Sequence, residues 1–256
     1  MRFAIYYIGV LSVALVLSAC GTQDKEDTVD LSKHYPLKVG NFWEYKETIV
    51  TTTNGVEAAP QYQTTKHQVV NFESRLFEEL DGLVETNSKK DVFVIKNQVL
   101  TGANKGESRT YFLEEINQEL RRTGQIKSNG DQLDKKRFYV PGALKFSKTS
   151  KMIDESWQES SKVYEWLFDK DKQQWVQGND WNKWMVYNWE VTALNEKVTV
   201  PAGTFNCAVF RRTILHEEKT YFFAANIGKV KEISNYTQDN TAVKKTEELT
   251  EYGALK

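Results

Sequence analysis

The side chains best suited to metal or acid–base chemistry are three histidines, His34, His67 and His216, which lie far apart in this 256-residue chain. A metal site usually draws its histidine, cysteine or acidic ligands from short spacings. The segment "HEEK" at His216 differs from the HExxH zinc motif, because Thr220 stands where the second histidine would be. We therefore predict no metal site and interpret the histidines as solvated residues of turns and polar strand faces.

Motifs for nucleophilic catalysis and cofactor binding are missing from the sequence. The chain has no GxSxG pentapeptide, no Walker loop and no GxGxxG. Cys207 falls in the apolar stretch "FNCAVF", where a free cysteine usually behaves as a small buried hydrophobe. Asp169, Asp171 and Asp180 are spaced somewhat like a calcium loop, but Gln174 occupies the sixth position, where glycine is needed. We expect hairpin turns there, no cofactor and no enzymatic activity.

A different chemistry is indicated for Cys20, which lies in "LVLSACGTQ", residues 16–24. The apolar segment before it, Phe3 to Leu17, is shorter than the roughly 20 residues that span a bilayer. A charged start, an apolar middle and small residues before a cleavage site are typical of a secretory signal. "LSAC" matches the lipobox of bacterial lipoproteins, in which the cysteine thiol receives a diacylglyceryl group and the signal is cut just before it. We predict a signal peptide over residues 1–19 and a lipid anchor, with acyl chains such as palmitate, on Cys20.

The polar segment that begins at Cys20 separates this anchor from the rest of the chain. "GTQDKEDTVDLSK" is charged and has no aromatic residue, a composition typical of a disordered tether. We predict a flexible tether over residues 20–31 and a single β-rich domain over residues 32–256. The domain would lie at the extracytoplasmic face of the cell membrane, or of an outer membrane where the cell has one. An ordinary secreted protein with a chance cysteine, or an uncleaved anchor, is the alternative.

Alternation of apolar and polar residues with a period of two dominates the chain and predicts a mainly β fold with little helix. In "WMVYNWEV", for example, Tyr187, Trp189 and Val191 alternate with polar residues. Turn-forming segments such as "DKDK", "QGND" and "NIG" separate the alternating stretches, which predicts an antiparallel meander. Because sheet edges need protection, we expect a strongly curved or half-closed sheet, with a β-sandwich as the alternative. One short helix is a candidate in residues 72–83.

Tryptophan is concentrated in one part of the sequence, since six of the seven tryptophans fall between residues 157 and 189. Such rings can fill the covered face of a sheet, or they can stack on sugars and line a ligand groove. Trp166 and Trp189 lie in clean alternating segments, so we predict that both are buried. Trp181 flanks a turn, so we predict that it is at least partly exposed. The candidate ligand-binding residues are Trp157, Trp175, Trp181 and Trp184.

Short motifs near both ends of the predicted domain form a recognisable set. "YPLKVGNFWEYK" covers residues 35–46, and "VTVPAGTFNCAVFRRT" and "KTYFFAANIGKVKEIS" fall within residues 198–234. Together they resemble a broad set of bacterial lipoproteins and secreted β-rich proteins of unknown function. In that set a PLxxGNxWxY start is paired with VPAGTF and a YYAPGVGLVK-like hairpin, although "AANIGKV" here lacks the usual proline. The resemblance does not cover the middle of the chain, and it implies a β-rich, membrane-tethered domain of unassigned function without known catalytic residues.

The same motifs predict local structure. Pro201 fixes φ and lacks a backbone donor, so it can end a strand. Gly203 can take a positive φ in the turn that follows, and Gly228 suits a tight hairpin. We expect Phe205 to enter the core as the chain turns back.

These features lead to a modest functional expectation. The formal net charge of −1 argues against a nucleic-acid partner, because phosphate binding needs a basic patch. We expect a lipid-anchored, non-enzymatic protein whose partner is the membrane and whose role is binding or envelope support. A concave sheet face could cradle an apolar ligand. The alternative is a carbohydrate- or cell-wall-binding module that uses the tryptophans between residues 157 and 189.

Overall fold

The computed structural model describes residues 28–77, 89–238 and 240–254, and the regular structure in these ranges is entirely β. The prediction of a mainly β fold is therefore confirmed. Within the same ranges no helix has the length and apolar character needed to cross a membrane. Cys20 and the predicted signal peptide lie outside the described residues and stay predictions.

Sixteen strands follow one another along the described chain. The first eight are β1 (Thr28–Val29), β2 (Asn41–Thr53), β3 (Val56–Glu57), β4 (Gln61–Leu76), β5 (Lys89–Val99), β6 (Glu107–Ile116), β7 (Glu119–Asn129) and β8 (Gln132–Ser147). The others are β9 (Lys151–Met152), β10 (Ser156–Asp169), β11 (Gln174–Gln177), β12 (Lys183–Val200), β13 (Gly203–Ile214), β14 (Glu217–Ala224), β15 (Gly228–Gln238) and β16 (Thr241–Ala254).

Twelve of these strands pair side by side, all antiparallel, and close into a barrel. Around the barrel they follow the order β10, β12, β13, β14, β15, β16, β2, β4, β5, β6, β7 and β8. The ring closes at β10, where residues 156–163 pair with β12 and residues 162–167 pair with β8. The prediction of a half-closed sheet is wrong, and the β-sandwich alternative is not observed in the described residues. Closure gives the backbone groups of both edge strands a partner.

The meander itself follows the sequence pattern closely. Tyr187, Trp189 and Val191 are buried on one side of β12, whereas Asn188 between them is exposed. The predicted turn "DKDK" connects β10 to β11, and its first carboxylate, Asp169, accepts hydrogen bonds from the backbone N–H groups of the next residues of the turn. The spacing that resembled a calcium loop is thus a hairpin turn, as predicted.

The predicted short helix over residues 72–83 is wrong where the structure describes it. Residues 72–76 belong to β4 and pair with β5 as far as Leu76 opposite Lys89. Phe72 lies directly opposite Phe93, with ring centroids 4.7 Å apart. Pairing with a neighbouring strand therefore overrides the local helix preference of "FESRLFEEL". Residues 78–83 lie outside the described ranges.

The segment before β2 closes one end of the barrel. Its backbone bonds to the β14–β15 turn, where Asn226 N–H donates to the carbonyl of Lys33 at 2.8 Å. Leu31 is fully buried in the core, and β1 pairs with β9. The folded region therefore begins by Thr28 and includes residues that the sequence placed in the tether, because Leu31 removes its apolar side chain from water there.

Aromatic rings fill the interior next to this closed end. Tyr35 packs against Phe146 and Phe223, with ring centroids 5.8 and 5.7 Å away. The indole N–H of Trp43 donates to the carbonyl of Ile227 at 2.5 Å. The PLxxGNxWxY-like start thus serves to seal the barrel end against the β14–β15 hairpin.

The structure confirms the predictions for Pro201, Gly203 and Gly228, but not the one for Phe205. β12 ends at Val200, directly before Pro201, and Gly203 and Gly228 have φ values of 136° and 98°. Phe205, expected in the core, is only half-buried, and its ring contacts Tyr252 at the edge of a core cluster. It lies on the strand just after the turn, where the sheet covers it on one side only.

Candidate functional site

The four candidate tryptophans do not share one site. Trp157 lies opposite Trp189 on neighbouring strands, and their rings stack with centroids 6.0 Å apart. Trp157 therefore packs against the core cluster of the barrel. Trp184 is 62% exposed, and the ammonium of Lys162 lies 6.0 Å from its ring centroid. Ring contacts in the described residues do not connect Trp184 to the other three.

Trp175 and Trp181 lie on the outside of β10, on a surface that we call the outer aromatic surface. It consists of Trp166, Phe168, Trp175 and Trp181, and the buried ring of Tyr164 packs beneath Trp181. The ring of Trp181 is 4.7 Å from that of Trp166, and Trp175 is 5.2 Å from Phe168. Trp181 is half-buried, which confirms the prediction that it is at least partly exposed. Trp189 is 4% exposed, which confirms the prediction that it is buried. The prediction that Trp166 is buried is wrong. Trp166 is only half-buried, because its side of β10 faces outward.

Cys207 is a free, fully buried thiol, as the sequence predicted. Burial raises its pKa to about 12, and the charge of Glu196 acts in the same direction. The thiol is therefore protonated at neutral pH and is a poor nucleophile.

The histidines differ from the prediction at two positions. His216 is exposed in the β13–β14 turn as expected, but His34 is only 6% exposed within the segment that closes the barrel. The ring of His67 lies 4.9 Å from that of Tyr45, and burial lowers the pKa of His67 to about 3. His67 points inward because the closed sheet turns this face of β4 toward the interior. Among the described residues, no three histidine, cysteine or acidic side chains meet as a possible metal site.

A cavity of about 310 Å³ lies inside the barrel. Tyr35 and Phe223 line it beside the closed end, whereas Asn97 and Arg109 also line a smaller hollow at the opposite end. Its basic lining residues are Arg109, Arg122, Arg137, Lys145, Arg212, Lys219, Lys229 and Lys245, and its acidic ones are Glu217, Glu232 and Glu247. The lining thus carries eight basic and three acidic side chains, although the whole chain has a formal net charge of −1.

One wall of the cavity neutralises itself through ion pairs, and we call it the Lys/Glu network. Its members are Lys219, Lys229, Lys245, Glu232 and Glu247, together with Glu47, which lines the adjoining smaller hollow. Lys229 lies at its centre, 2.7 Å from Glu232 and in contact with Glu247. Burial opposes the charged form of Glu232 and Glu247, but the neighbouring lysines hold the pKa of each carboxyl below its ordinary value. Three cations and three anions give this wall no formal charge.

Another part of the lining lacks this balance, and we call it the cationic arc: Arg122 on β7, Lys145 on β8 and Arg212 on β13. It adjoins the Lys/Glu network, because Arg212 is paired with Lys219 across β13 and β14. Arg212 is 6% exposed and has one carboxylate partner, Glu217, at 3.3 Å. Arg122 donates to the neutral amide oxygen of Gln125 at 2.8 Å. In the described residues, neither Arg122 nor Lys145 forms an ion pair with a carboxylate. The buried Nε atoms of Arg122 and Arg212 have no hydrogen-bond partner there.

Aromatic rings surround the two arginines of the arc. The guanidinium of Arg122 lies 4.3 Å from the ring centroid of Tyr139. That of Arg212 lies 5.5 Å from Tyr187 and 5.7 Å from Tyr221. Cation–π contact attracts the guanidinium groups without cancelling their charge. Burial raises the pKa of Tyr187 to about 12, so its hydroxyl stays neutral and gives the arc no negative charge.

Lys145 has the least favourable environment of the three. Burial, followed by the charges of Arg122 and Arg212, holds the pKa of its ammonium well below the ordinary value. Both influences disfavour the positive charge, and Glu232 offsets them only in part. The arc is therefore arranged to attract an anion, and it offers charged and neutral hydrogen-bond donors to one.

One residue of the sequence indicates this charged interior. Glu47 is in phase with Trp43 and Tyr45 along β2, and it is 1% exposed. An acid on the apolar side of an amphipathic strand indicates a buried ion pair, because an isolated buried carboxylate is too costly. Lys145 gave no such signal, since its position in "GALKFS" depends on the irregular pairing of β7 with β8.

Comparison with known proteins identifies no family. No family model matches the chain, and no curated protein matches it. One solved structure, of a protein thought to be exported, with a YmcC-like fold, from Bacteroides fragilis, aligns at 12% identity and a TM-score of 0.38. Another, of a protein from Parabacteroides distasonis thought to be a lipoprotein, aligns at 12% identity and a TM-score of 0.29. Each alignment covers 86% of this chain and 98% of the other.

Proposed function

We propose that this protein is a lipid-anchored, extracytoplasmic binding protein without enzymatic activity, and that it takes a small anionic ligand into the barrel. The cationic interior of the barrel is the observation that carries the proposal. The lipobox at Cys20 supports the anchor and the location.

A purely structural role explains the interior poorly. Replacing buried ion pairs by apolar side chains of similar volume is often neutral or stabilising, so charge inside a barrel is not a simple route to stability. An unpaired buried cation is costlier still. Lys145, which has neither a carboxylate partner nor full access to water, therefore points to a ligand.

The same lining favours an anionic ligand over the apolar one expected from the sequence. Charged and hydroxyl-bearing side chains dominate the cavity wall, and the apolar rings lie mainly beside the closed end. Ligand pockets usually measure about 300–1,000 Å³, so a volume of about 310 Å³ suits a small molecule.

Fractionation and mass spectrometry test the anchor. We expect the wild-type protein in the membrane fraction, with acyl chains on an N-terminal Cys20. Cys20→Ala should give an unprocessed or soluble form. A mature wild-type protein that starts elsewhere and carries no lipid contradicts this part of the proposal.

Thermal unfolding of the full-length protein, purified from membranes in a mild detergent, tests the ligand class. Acetate, inorganic phosphate and sulfate are compared with chloride at equal ionic strength, and with glucose and a neutral long-chain alcohol. We expect at least one of the first three anions to raise the melting temperature in a saturable way, because a ligand that binds only the folded state stabilises it. Stabilisation by the alcohol alone would replace the anionic ligand with an apolar one.

A second candidate function is the binding of cell-wall carbohydrate at the outer aromatic surface. It is favoured by the partial exposure of the Trp175 and Trp181 side chains on the outside of the barrel, since aromatic faces stack on sugars. Trp175→Ala should then weaken binding to isolated cell wall, whereas Trp157→Ala should leave it unchanged. Equal binding by wild type and Trp175→Ala contradicts this role.

A further inference from the structure

We propose that Arg122, Lys145 and Arg212 form the subsite for the charged group of the ligand, and that this group is a dianion of the phosphate type. The inference rests on the proposed function, because it requires an anion inside the barrel. It goes further by naming the residues, the charge and the chemical class of the group.

The first step is the charge of the cationic arc. Arg122, Lys145 and Arg212 contribute three positive charges, and Glu217 at 3.3 Å from Arg212 contributes one negative charge. The formal excess is therefore two. A carboxylate would leave one charge uncompensated, whereas a phosphate monoester carries between about −1.5 and −2 near neutral pH and would compensate nearly all of it.

The second step is that other cations of the lining are already paired. The Lys/Glu network has no formal charge. Arg137 contacts Glu165 and donates to Asp180 at 2.5 Å. Arg109 is exposed, and it lies where the cavity meets the smaller hollow, so it can attract an anion without enclosing it. The need for a counter-charge is concentrated at the arc.

The third step is the geometry of the donors. The arc residues come from three strands of one closed sheet, so hydrogen-bonded backbone holds their positions before any ligand arrives. Arg212 is only 6% exposed, and the rings of Tyr187 and Tyr221 restrict its guanidinium. Arginine presents a planar set of donors that matches phosphate oxygens, and lysine adds a compact charge.

The fourth step concerns protons. Burial, followed by the charges of Arg122 and Arg212, lowers the pKa of Lys145. Lys219 acts in the same direction, and Glu232 acts against it. A dianion beside the amine favours its charged form and raises the pKa again. Binding of a dianion should therefore favour proton uptake at Lys145.

The ligand is best described as a small soluble phosphate. The acyl chains of a phospholipid would need an apolar chamber, and the volume of about 310 Å³ is lined largely by charged groups. Inorganic phosphate and glycerol 3-phosphate are thus suitable probes. Vesicles containing phosphatidic acid present the same headgroup chemistry on a lipid.

Isothermal titration calorimetry on the full-length protein in mild detergent tests the subsite. The probes are phosphate, glycerol 3-phosphate, sulfate and acetate, at pH 8 and constant ionic strength. The variant is Lys145→Met, which removes the cation and keeps most of the side-chain volume. Lys197→Met is the matched control, because Lys197 is exposed on β12 and does not line the cavity.

We expect phosphate to bind wild type at least ten-fold more tightly than acetate, and Lys145→Met to weaken phosphate binding by ten-fold or more. Lys197→Met should bind like wild type. Lys145→Met should also unfold at the same or a higher temperature than wild type, because it removes an uncompensated charge. If Lys145 served only to stabilise the fold, Lys145→Met would instead unfold at a lower temperature than wild type.

Sulfate isolates the proton effect, since it carries no titrating proton of its own near pH 8. Titrations in two buffers of different ionisation enthalpy should show net proton uptake by wild type and none by Lys145→Met.

Four results would overturn the inference. If acetate binds as tightly as phosphate and Lys145→Met abolishes the binding of both, the arc is an anion site but it does not select a dianion. If phosphate binding is unchanged in Lys145→Met, the site lies elsewhere. If only phosphatidic acid vesicles bind, the ligand is a lipid. If no anion binds wild type, the proposed function fails with the inference.

Discussion

Lys229→Met gives a direct measure of what the Lys/Glu network contributes to stability. Lys229 lies 2.7 Å from Glu232, contacts Glu247, and has its ammonium 4.9 Å from the ring centroid of Tyr45. Methionine keeps the apolar contacts and removes the charge, so little cavity cost is expected. Removing one partner of a buried ion pair usually costs about 3–5 kcal/mol, because the remaining charge is left uncompensated.

The expected loss for Lys229→Met is about 3 kcal/mol, at the lower end of that range. Glu232 keeps Lys219 at 3.0 Å and Glu247 keeps Lys245 at 2.7 Å, so neither carboxylate is left alone. The free energy of unfolding is measured by urea titration at pH 7, followed by circular dichroism and tryptophan fluorescence.

Lys231→Met is the matched control on the same strand. Lys231 pairs with Glu248 at 2.7 Å, but the side chains of this pair are 23% and 31% exposed. Such an accessible pair contributes about 0–1 kcal/mol. If Lys229→Met costs no more than Lys231→Met, water screens the network and the reasoning about its burial is refuted.

The stability of Lys229→Met should depend on pH with a definite sign. The folded-state pKa values of Glu232 and Glu247 lie below the ordinary value of 4.5, since the lysines outweigh the effect of burial. This contribution to stability is therefore fully present above about pH 4.5 and is lost as the pH falls below it. Without Lys229 the carboxyls bind protons more readily, so acid destabilisation of the variant should begin at higher pH.

Three further predictions concern the frame of the barrel. Cys207 should not react with a thiol reagent at pH 7.5 until the protein is unfolded in denaturant, because its pKa is raised to about 12 and it is fully buried. Gly228→Ala should cost about 1–3 kcal/mol in urea unfolding, since φ is 98° and a Cβ would lie 3.3 Å from Trp43 Nε1. Phe205→Ala should cost less than the roughly 3–5 kcal/mol of a fully buried ring, and a loss in that range would contradict its half-buried position.

Local patterns were sufficient to predict the strands and several turns. The alternation around Trp189 depends only on the period of a strand, and the turn after Val200 depends on Pro201 and Gly203. Closure could not be predicted in this way. It depends on the pairing of β10 with β8, and no local pattern encodes which distant strand becomes the neighbour.

The cavity was missed for a second physical reason. The alternation rule assigns apolar residues to the interior and charged ones to water, but the interior of this barrel contains both. A bulge adds a further complication, because Val230 is skipped in the pairing of β14 with β15. This irregularity brings Lys229 and Glu232 into contact although they are three residues apart. The sequence alone gives no position for such a bulge.

The two ends of the barrel differ in a way that sets its direction of access. Thr28 and the segment that follows it cover one end, and Arg109 lies near the other. With Cys20 in the bilayer as proposed, the anchor joins the barrel at its closed end, where the described chain begins at Thr28. Ligand exchange would then occur with dissolved molecules arriving from the surrounding fluid, and capture would depend on their concentration there rather than on lateral movement within the membrane.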